Sequence, residues 1–101
     1  IPGGFSPDQL RADDRFVNFV KDFLMDDKPT FAICHGPQLF IQTGLTAGRT
    51  MTAYLTVRPD LYYAGARVKD QPVVVDRNLV TSRTPDDLDD FNGAMLAILK
   101  K

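Results

Sequence analysis

The spacing of apolar residues predicts a long amphipathic helix near the start of the chain. Apolar side chains recur three and four positions apart over residues 14–27, as on one face of a helix: Phe16, Val17, Phe19, Val20, Phe23 and Leu24. Asp13 or Asp14 is the expected N-cap. Lys28-Pro29 should end the helix, because the residue before a proline avoids the helical conformation. The apolar run at residues 30–33 is then typical of a short buried parallel strand.

Two further helices follow from the same reasoning. One should begin at Pro37, a residue tolerated in the first turn, and end at Gly44. The other opens at Thr84-Pro85, an N-cap followed by a first-turn proline, and carries a final apolar stripe: Leu88, Phe91, Met95, Ile98 and Leu99. Residues 60–64 suit one or two helical turns capped by Gly65.

The strand signals in the second half favour a β-hairpin. Val73-Val74-Val75 and Leu79-Val80-Thr81 flank a tight connection, in which we expect Asn78 to take the left-handed conformation. Residues 51–57 are strand-prone without clear alternation. The resulting order of helix, strand, sharp turn, helix, hairpin and helix indicates a layered α/β fold in a single domain, residues 1–101.

The predicted sheet is small for the helices that must cover it. One four-residue strand and a hairpin leave apolar helix faces without enough sheet, so we expect an N-terminal segment or a partner chain to complete the core. The opening Ile1-Pro2-Gly3-Gly4, which lacks an initiator methionine, agrees with the expectation of a fragment.

Composition narrows the function classes. The 101 residues carry 12 Lys and Arg against 13 Asp and Glu, a net charge of −1, which argues against nucleic acid or an anionic membrane surface as a partner. Apolar runs are too short to span a bilayer, and a single cysteine fits a reducing compartment, so we expect a cytoplasmic protein. The acidic residues at 86, 87, 89 and 90 suit a helix start better than a metal site, and no cofactor is expected.

The only cysteine and the only histidine, Cys34 and His35, follow the predicted strand directly. A lone cysteine is more often an inert core residue, but one at a strand-to-helix turn projects into the cleft at the carboxyl end of the sheet, where helix amides stabilise a thiolate. Gly36 would let the backbone pack closely beneath it. His35 is then either a general base or ion-pair partner for the thiol, or an imidazole that steadies the turn.

The loop around Gly4 offers a second element at the same edge. Ile1 to Asp8 is expected to be a strand end followed by a loop. It is either a simple turn, or its Gly4 amide joins the His35 amide in holding the oxyanion that forms when a thiolate attacks a carbonyl.

Several stretches together resemble the PfpI intracellular protease family of the ThiJ/PfpI superfamily, and most closely its bacterial general-stress-protein branch: IPGGFSPDQLRADDRF, FAICHGPQL, VVVD and LVTSRTPDDL. The resemblance implies a flavodoxin-like α/β three-layer sandwich, a Cys34 nucleophile beside His35, and an oxyanion hole from Gly4 and His35. It also implies dimers or larger rings, in which Asp8, standing where relatives carry glutamate, reaches a neighbouring subunit's site.

The resemblance also indicates which part of a family chain this sequence lacks and where its residues differ from those of relatives. Family chains begin with strands and a glutamate that precede the PGG turn, so this sequence matches their C-terminal part, the remainder being absent, cleaved or a separate chain. Arg83 is placed to bind an anionic substrate or to pair with Asp86. Tyr54 and Arg58 fall on a loop where relatives carry site-lining residues, although the local pattern TAYLTVR departs from theirs.

Three functions compete at this stage. The first is a stress-associated cysteine hydrolase in which the Cys34 thiolate adds to the carbonyl of a peptide or small aldehyde, with peptidase, glyoxalase-like or deglycase-like activity. The second is a redox sensor or holdase chaperone whose cysteine is oxidised without turnover. The third is an inert remnant of such an enzyme.

Overall fold

The structure, a computed structural model, describes residues 1–100 as five helices, five strands and one short 3₁₀ turn. The strands are β1 (Thr30–Ile33), β2 (Thr50–Met51), β3 (Arg67–Val68), β4 (Val73–Asp76) and β5 (Leu79–Ser82). The helices are α1 (Ser6–Leu10), α2 (Asp14–Met25), α3 (Gln38–Thr43), α4 (Arg58–Tyr63) and α5 (Leu88–Leu99), the last preceded by the 3₁₀ turn Pro85–Asp87.

The central sheet has the order β1-β5-β4, with β1 parallel and β4 antiparallel to β5. On the outer edge of β1, the Ile33 amide donates to the Ile1 carbonyl at 3.2 Å. The parallel pair β2-β3 lies beside the hairpin and is joined to it by side-chain bonds, among them the Thr50 amide to Asp76 Oδ2 at 2.7 Å. Parallel β1 and β5 place their carboxyl ends together, where the cysteine follows.

Side chains alternate across this sheet to build two apolar clusters, one on each face. Ala32 and Leu79 pack into the larger cluster with α2, α3 and α4, whereas Val80 packs with Phe91 and Ile98 of α5. This is the period-two alternation of a strand buried on both faces. The predicted α/β class with three layers is therefore confirmed.

Helix α2 begins as predicted but buries only part of its stripe. The Asp13 side chain accepts from the Arg15 amide at 2.9 Å, so Asp13 is the N-cap. Val17, Val20 and Leu24 are buried, and the helix ends at Met25 rather than at residue 27. Phe16 and Phe19, by contrast, are 45% and 62% exposed. The apolar stripe is wider than the surface that β1 and α3 offer it.

The hairpin is confirmed, but its turn conformation was wrongly assigned. Arg77, not Asn78, has a positive φ of 56°. With Asp76 paired to Leu79, a positive φ at the first residue of a two-residue turn is the type II′ pattern. Asn78 instead links the turn to the start of β1, because its carbonyl accepts from Thr30 and its side-chain amide donates to the Asp27 carbonyl.

Three other segments refine the expected pattern. Only Met51 of the strand-prone stretch 51–57 lies in a strand, because the chain then leaves the sheet to reach the turn after β1. Thr84 occupies the N-cap position of the 3₁₀ turn without a side-chain bond. In α5, Phe91 and Ile98 are buried while Leu88 and Leu99 are exposed. Within residues 1–100 no helix has the length and apolarity to cross a bilayer.

Candidate active site

Cys34 lies on a sharp turn directly after β1. Its φ of 62° is in the left-handed region, which is unusual for a residue with a side chain. Two backbone bonds hold it there: the Cys34 amide donates to the Ser82 carbonyl at 3.0 Å, and the Cys34 carbonyl accepts from the Tyr54 amide at 2.8 Å. Backbone conformations of this kind cost of order 1–3 kcal/mol and persist when neighbouring contacts over-determine them, as these do.

Gly36 and Pro37 complete the predicted strand-turn-helix. A Cβ at Gly36 would lie 2.6 Å from the Ile1 carbonyl oxygen and 3.0 Å from that of Ile33, so only glycine fits without displacing backbone. Pro37, with φ −60°, stands at the N-cap position, and α3 follows from Gln38. The expected role of both residues in shaping the turn is confirmed.

The turn brings the thiol and the imidazole together, which the sequence left undecided. Cys34 Sγ lies 3.2 Å from His35 Nδ1, within the range of a sulfur hydrogen bond. Both residues are half-buried. This geometry suits proton exchange between thiol and imidazole.

Tyr54 fixes the orientation of that imidazole. Its ring stacks on the His35 ring with centroids 4.6 Å apart and an interplanar angle of 23°. Its amide is also the donor to the Cys34 carbonyl. Tyr54 therefore touches both members of the pair through different groups, a contact that its position in the sequence only suggested.

The glycine pair in the opening loop packs against the thiol. A Cβ at Gly3 would lie 2.8 Å from Cys34 Cβ, 3.3 Å from its Sγ and 3.2 Å from the His35 amide nitrogen. Gly4 has a φ of 69°. Within residues 1–100, neither the Gly4 amide nor the His35 amide donates a hydrogen bond. The need for glycine at Gly3 was missed, although the consecutive glycines were its signal.

Asp8 does not meet Cys34 within this chain. It lies in the first turn of α1 rather than in the expected loop, and its side chain is exposed. Among the described residues it takes part in no ion pair. Its role in a neighbouring subunit remains a prediction.

Arg83 pairs with partners other than the expected Asp86. Its guanidinium contacts both carboxylate oxygens of Asp87, at 3.0 and 3.2 Å, and reaches Asp70 at 2.9 Å. Arg83 lies before the extended N-cap residue Thr84, and the 3₁₀ turn that follows brings the carboxylate of Asp87 back toward Arg83, whereas Asp86 is exposed. Arg58 pairs with the same Asp70.

These ion pairs shift the pKa values of the groups that form them. Hydrogen bonds from Arg83 lower the pKa of Asp87 and of Asp70, and the two carboxylates raise the pKa of Arg83. The ion pairs line a cavity of about 340 Å³ that also includes Tyr54.

Within residues 1–100, no group of three or more His, Cys, Asp or Glu residues is arranged to hold a metal ion.

Comparison with known proteins identifies a matching family and similar relatives. The DJ-1/PfpI family matches residues 1–98. General stress protein 18 of Bacillus subtilis is 61% identical over 102 residues, and the protein of the same organism named "Putative cysteine protease YraA" is 59% identical over 100 residues. These alignments cover 100% and 99% of this chain. The chain spans 59% of the length of each relative.

Solved structures agree on the fold. A two-domain protein of Anabaena variabilis, with DJ-1/ThiJ/PfpI-like and ferritin-like domains, superposes with a TM-score of 0.94 at 40% identity, covering 97% of this chain and 28% of that one. DJ-1beta of Drosophila melanogaster superposes with a TM-score of 0.85 at 24% identity, covering 98% of this chain and 54% of that one, which supports the flavodoxin-like fold alone. From its sequence match and its architecture, the chain belongs to the DJ-1/PfpI family.

Proposed function

We propose that the protein is a cysteine-dependent hydrolase whose Cys34 thiolate adds to carbonyl groups. The observation that carries the proposal is the 3.2 Å separation of Cys34 Sγ and His35 Nδ1 on a turn with a left-handed cysteine. A thiol that can pass its proton to an adjacent imidazole is an activated nucleophile.

The chemistry begins with transfer of the thiol proton to His35. The sulfur lone pair then forms a bond to the carbonyl carbon, and the carbonyl electron pair moves to oxygen. The free amides of Gly4 and His35 are the candidate donors to that oxyanion. With a peptide, collapse of the intermediate breaks the C–N bond, His35 protonates the leaving amine, and water hydrolyses the thioester. With an aldehyde, the oxyanion takes the proton and a thiohemiacetal forms.

Similarity supports this class of reaction without identifying the substrate. A relative at 59% identity carries the words cysteine protease in its name, and one at 61% identity is named a general stress protein. We therefore propose peptides or small aldehydes as substrates, with peptidase, glyoxalase-like or deglycase-like turnover in a stress response.

We further propose that the active form is a homo-oligomer. Asp8 is exposed on α1 and takes part in no ion pair among the described residues, which suits a carboxylate that serves a neighbouring subunit. In that arrangement Asp8 would orient His35 across the interface, as the third member of a catalytic triad does. Asp8→Asn should then lower both turnover and the rate of Cys34 alkylation in the oligomer.

The decisive test compares the protein with Cys34→Ser and His35→Gln. We expect hydrolysis of a casein-derived fluorogenic peptide or consumption of methylglyoxal by the unmodified protein, none by Cys34→Ser, and at least tenfold less by His35→Gln. Ser is a matched control because it keeps the size of the side chain at a strained turn.

The redox alternative predicts a different outcome of the same experiment. A sensor would form sulfenic or sulfinic acid at Cys34 under hydrogen peroxide, seen as mass increases of one or two oxygens, with no loss of either substrate. Oxidation without turnover in the assembled protein would overturn the hydrolase proposal.

A further inference from the structure

A buried arginine lies at the opposite end of the sheet from Cys34. Arg49 precedes β2, and its side chain is only 7% exposed. Its Nη1 is inaccessible to solvent and has no hydrogen-bond acceptor within residues 1–100. Buried charged groups are normally paired and hydrogen-bonded, so an arginine in this state calls for an explanation.

Asp76, the carboxylate that pairs with Arg49 within residues 1–100, also contacts other groups. Asp76 Oδ1 lies 3.9 Å from Arg49 Nη1, which is too long for a hydrogen bond. The same Oδ1 is 3.5 Å from Arg77 Nε, and Oδ2 accepts from the Thr50 amide at 2.7 Å. Two guanidinium groups thus share a single carboxylate that also caps a backbone amide.

The charges around Arg49 agree with the incomplete pairing of its guanidinium. Burial and then repulsion from Arg77 lower the pKa of Arg49, and the opposing attraction of Asp76 and of the more distant Asp27 does not restore it. A further negative group near both guanidinium groups would relieve this imbalance.

A cavity of suitable size adjoins the two arginines. It has a volume of about 360 Å³ and is lined by Arg49, Arg77, the loop that includes Gly44 and Gly48, and the end of α2. The loop glycines have no side chains to fill this side of the cavity, and a Cβ at Gly44 or Gly48 would meet nothing within 4 Å. A small oxyanion and several waters fit in this volume.

The ends of α2 and α3 oppose an anion there, but weakly. Carbonyl ends of helices carry partial negative charge. Here these carbonyls are already occupied: that of Leu24 accepts from the Asp27 amide, and that of Ile41 accepts from the Gly44 amide. Two guanidinium forks offer more donors than those capped carbonyls can counter.

We propose that this cavity is a binding site for a phosphate-type oxyanion, held between the guanidinium groups of Arg49 and Arg77; Arg49 Nη1 is covered, so the contact is with the rest of that guanidinium. A tetrahedral, doubly charged group presents acceptors in several directions and so can engage two forks at once, which a single carboxylate does less well. The site is separate from the Cys34 turn, and its function does not depend on the proposed hydrolase.

The test is a titration of the purified protein with sodium phosphate at constant ionic strength, the chloride being reduced as phosphate is added. We expect saturable shifts of the amide resonances of Gly44, Gly48 and Arg77, together with a rise in Tm of a few degrees near saturation. Sulfate should act like phosphate, and acetate much less. Glycerol phosphate identifies the source: binding equal to that of the inorganic ion assigns a phosphate ester, and weaker binding assigns the free ion.

Matched variants make the assignment specific. Arg77 is 62% exposed, so Arg77→Gln leaves the core intact and should weaken phosphate binding at least tenfold. Arg67→Gln removes the same charge from an exposed residue outside the cavity lining and should change affinity less than twofold. Non-saturating shifts, equal shifts with chloride alone, or an Arg77→Gln variant that binds as well as the unmodified protein would each overturn the proposal.

Discussion

We predict that the stack of Tyr54 on His35 makes the reactivity of Cys34 depend on a residue twenty positions away. The ring centroids are 4.6 Å apart and the planes nearly parallel. An aromatic pair of this kind is worth about 0.5–1.5 kcal/mol beyond the area it buries. If that energy selects the imidazole orientation that faces Sγ, removing the ring lowers the equilibrium constant for that orientation by about 2- to 12-fold, because 1.4 kcal/mol is a factor of ten.

Tyr54→Leu and Tyr54→Phe separate the ring from the hydroxyl. Leucine removes the stack, so the second-order rate of Cys34 alkylation by iodoacetamide near neutral pH should fall, by up to that factor. Phenylalanine keeps the ring and should stay within about twofold of the unmodified protein. Tyr63→Leu, at an 84% exposed tyrosine of α4, is the matched control and should change nothing.

The single histidine allows the stack to be observed directly. The chain has one histidine, so its Hε1 resonance is unambiguous in a proton spectrum. Ring current from Tyr54 should shift that resonance upfield in the unmodified protein and in Tyr54→Phe, but not in Tyr54→Leu. A Tyr54→Leu variant that loses the upfield shift yet alkylates at the original rate would refute the link between stacking and reactivity.

Three further predictions concern stability. Gly3→Ala should slow alkylation of the thiol and lower the free energy of urea unfolding by about 1–3 kcal/mol, since its Cβ would lie 2.8 Å from the cysteine Cβ. The control Gly93→Ala, in α5 with open space around it, should raise that free energy by about 0.5–1 kcal/mol. Equal effects of the two substitutions on stability would contradict the steric argument. Because Arg83 lowers the pKa of Asp87, the Arg83–Asp87 pair stabilises the folded state above the carboxyl pKa of the unfolded chain, and this stabilisation is lost as pH falls through the lower folded pKa. Urea unfolding midpoints measured from pH 7 to 2 should therefore fall more steeply for the unmodified protein than for Arg83→Gln. Leu61→Ala, at a fully buried side chain, should cost about 2–5 kcal/mol by the same unfolding assay, and a cost below 1 kcal/mol would argue against the described core.

The local elements were predictable because their signals act over a few residues. The Asp13 cap, the β1 strand, the helix between Pro37 and Gly44 and the β-hairpin each follow from spacing or turn chemistry that neighbouring residues carry. The turn at Cys34 was predictable for the same reason, since a buried strand, a glycine and a helix start surround it. The errors were also local in kind: the left-handed residue proved to be Arg77 instead of Asn78, one position away.

The extent of burial was less predictable than the helices themselves. Periodicity identified the apolar face of α2, but it does not reveal how much of that face meets other residues. Phe19 belongs to the stripe and is nevertheless 62% exposed. Burial depends on which elements pack beside a helix, and that is a property of the assembled layers.

The sequence by itself therefore determined the α/β class, the position of the cysteine after a strand and the glycines that allow the turn. Only the tertiary structure decided that Cys34 Sγ faces His35 Nδ1 and that Tyr54 stacks on the imidazole. It also decided that Gly3 lies against the thiol and that Arg83 pairs with Asp87 and Asp70. The physical reason is range. Propensity and turn chemistry operate between near neighbours, whereas these contacts mostly join segments far apart in the chain, whose side-chain distances are set when the sheet and its helices close together.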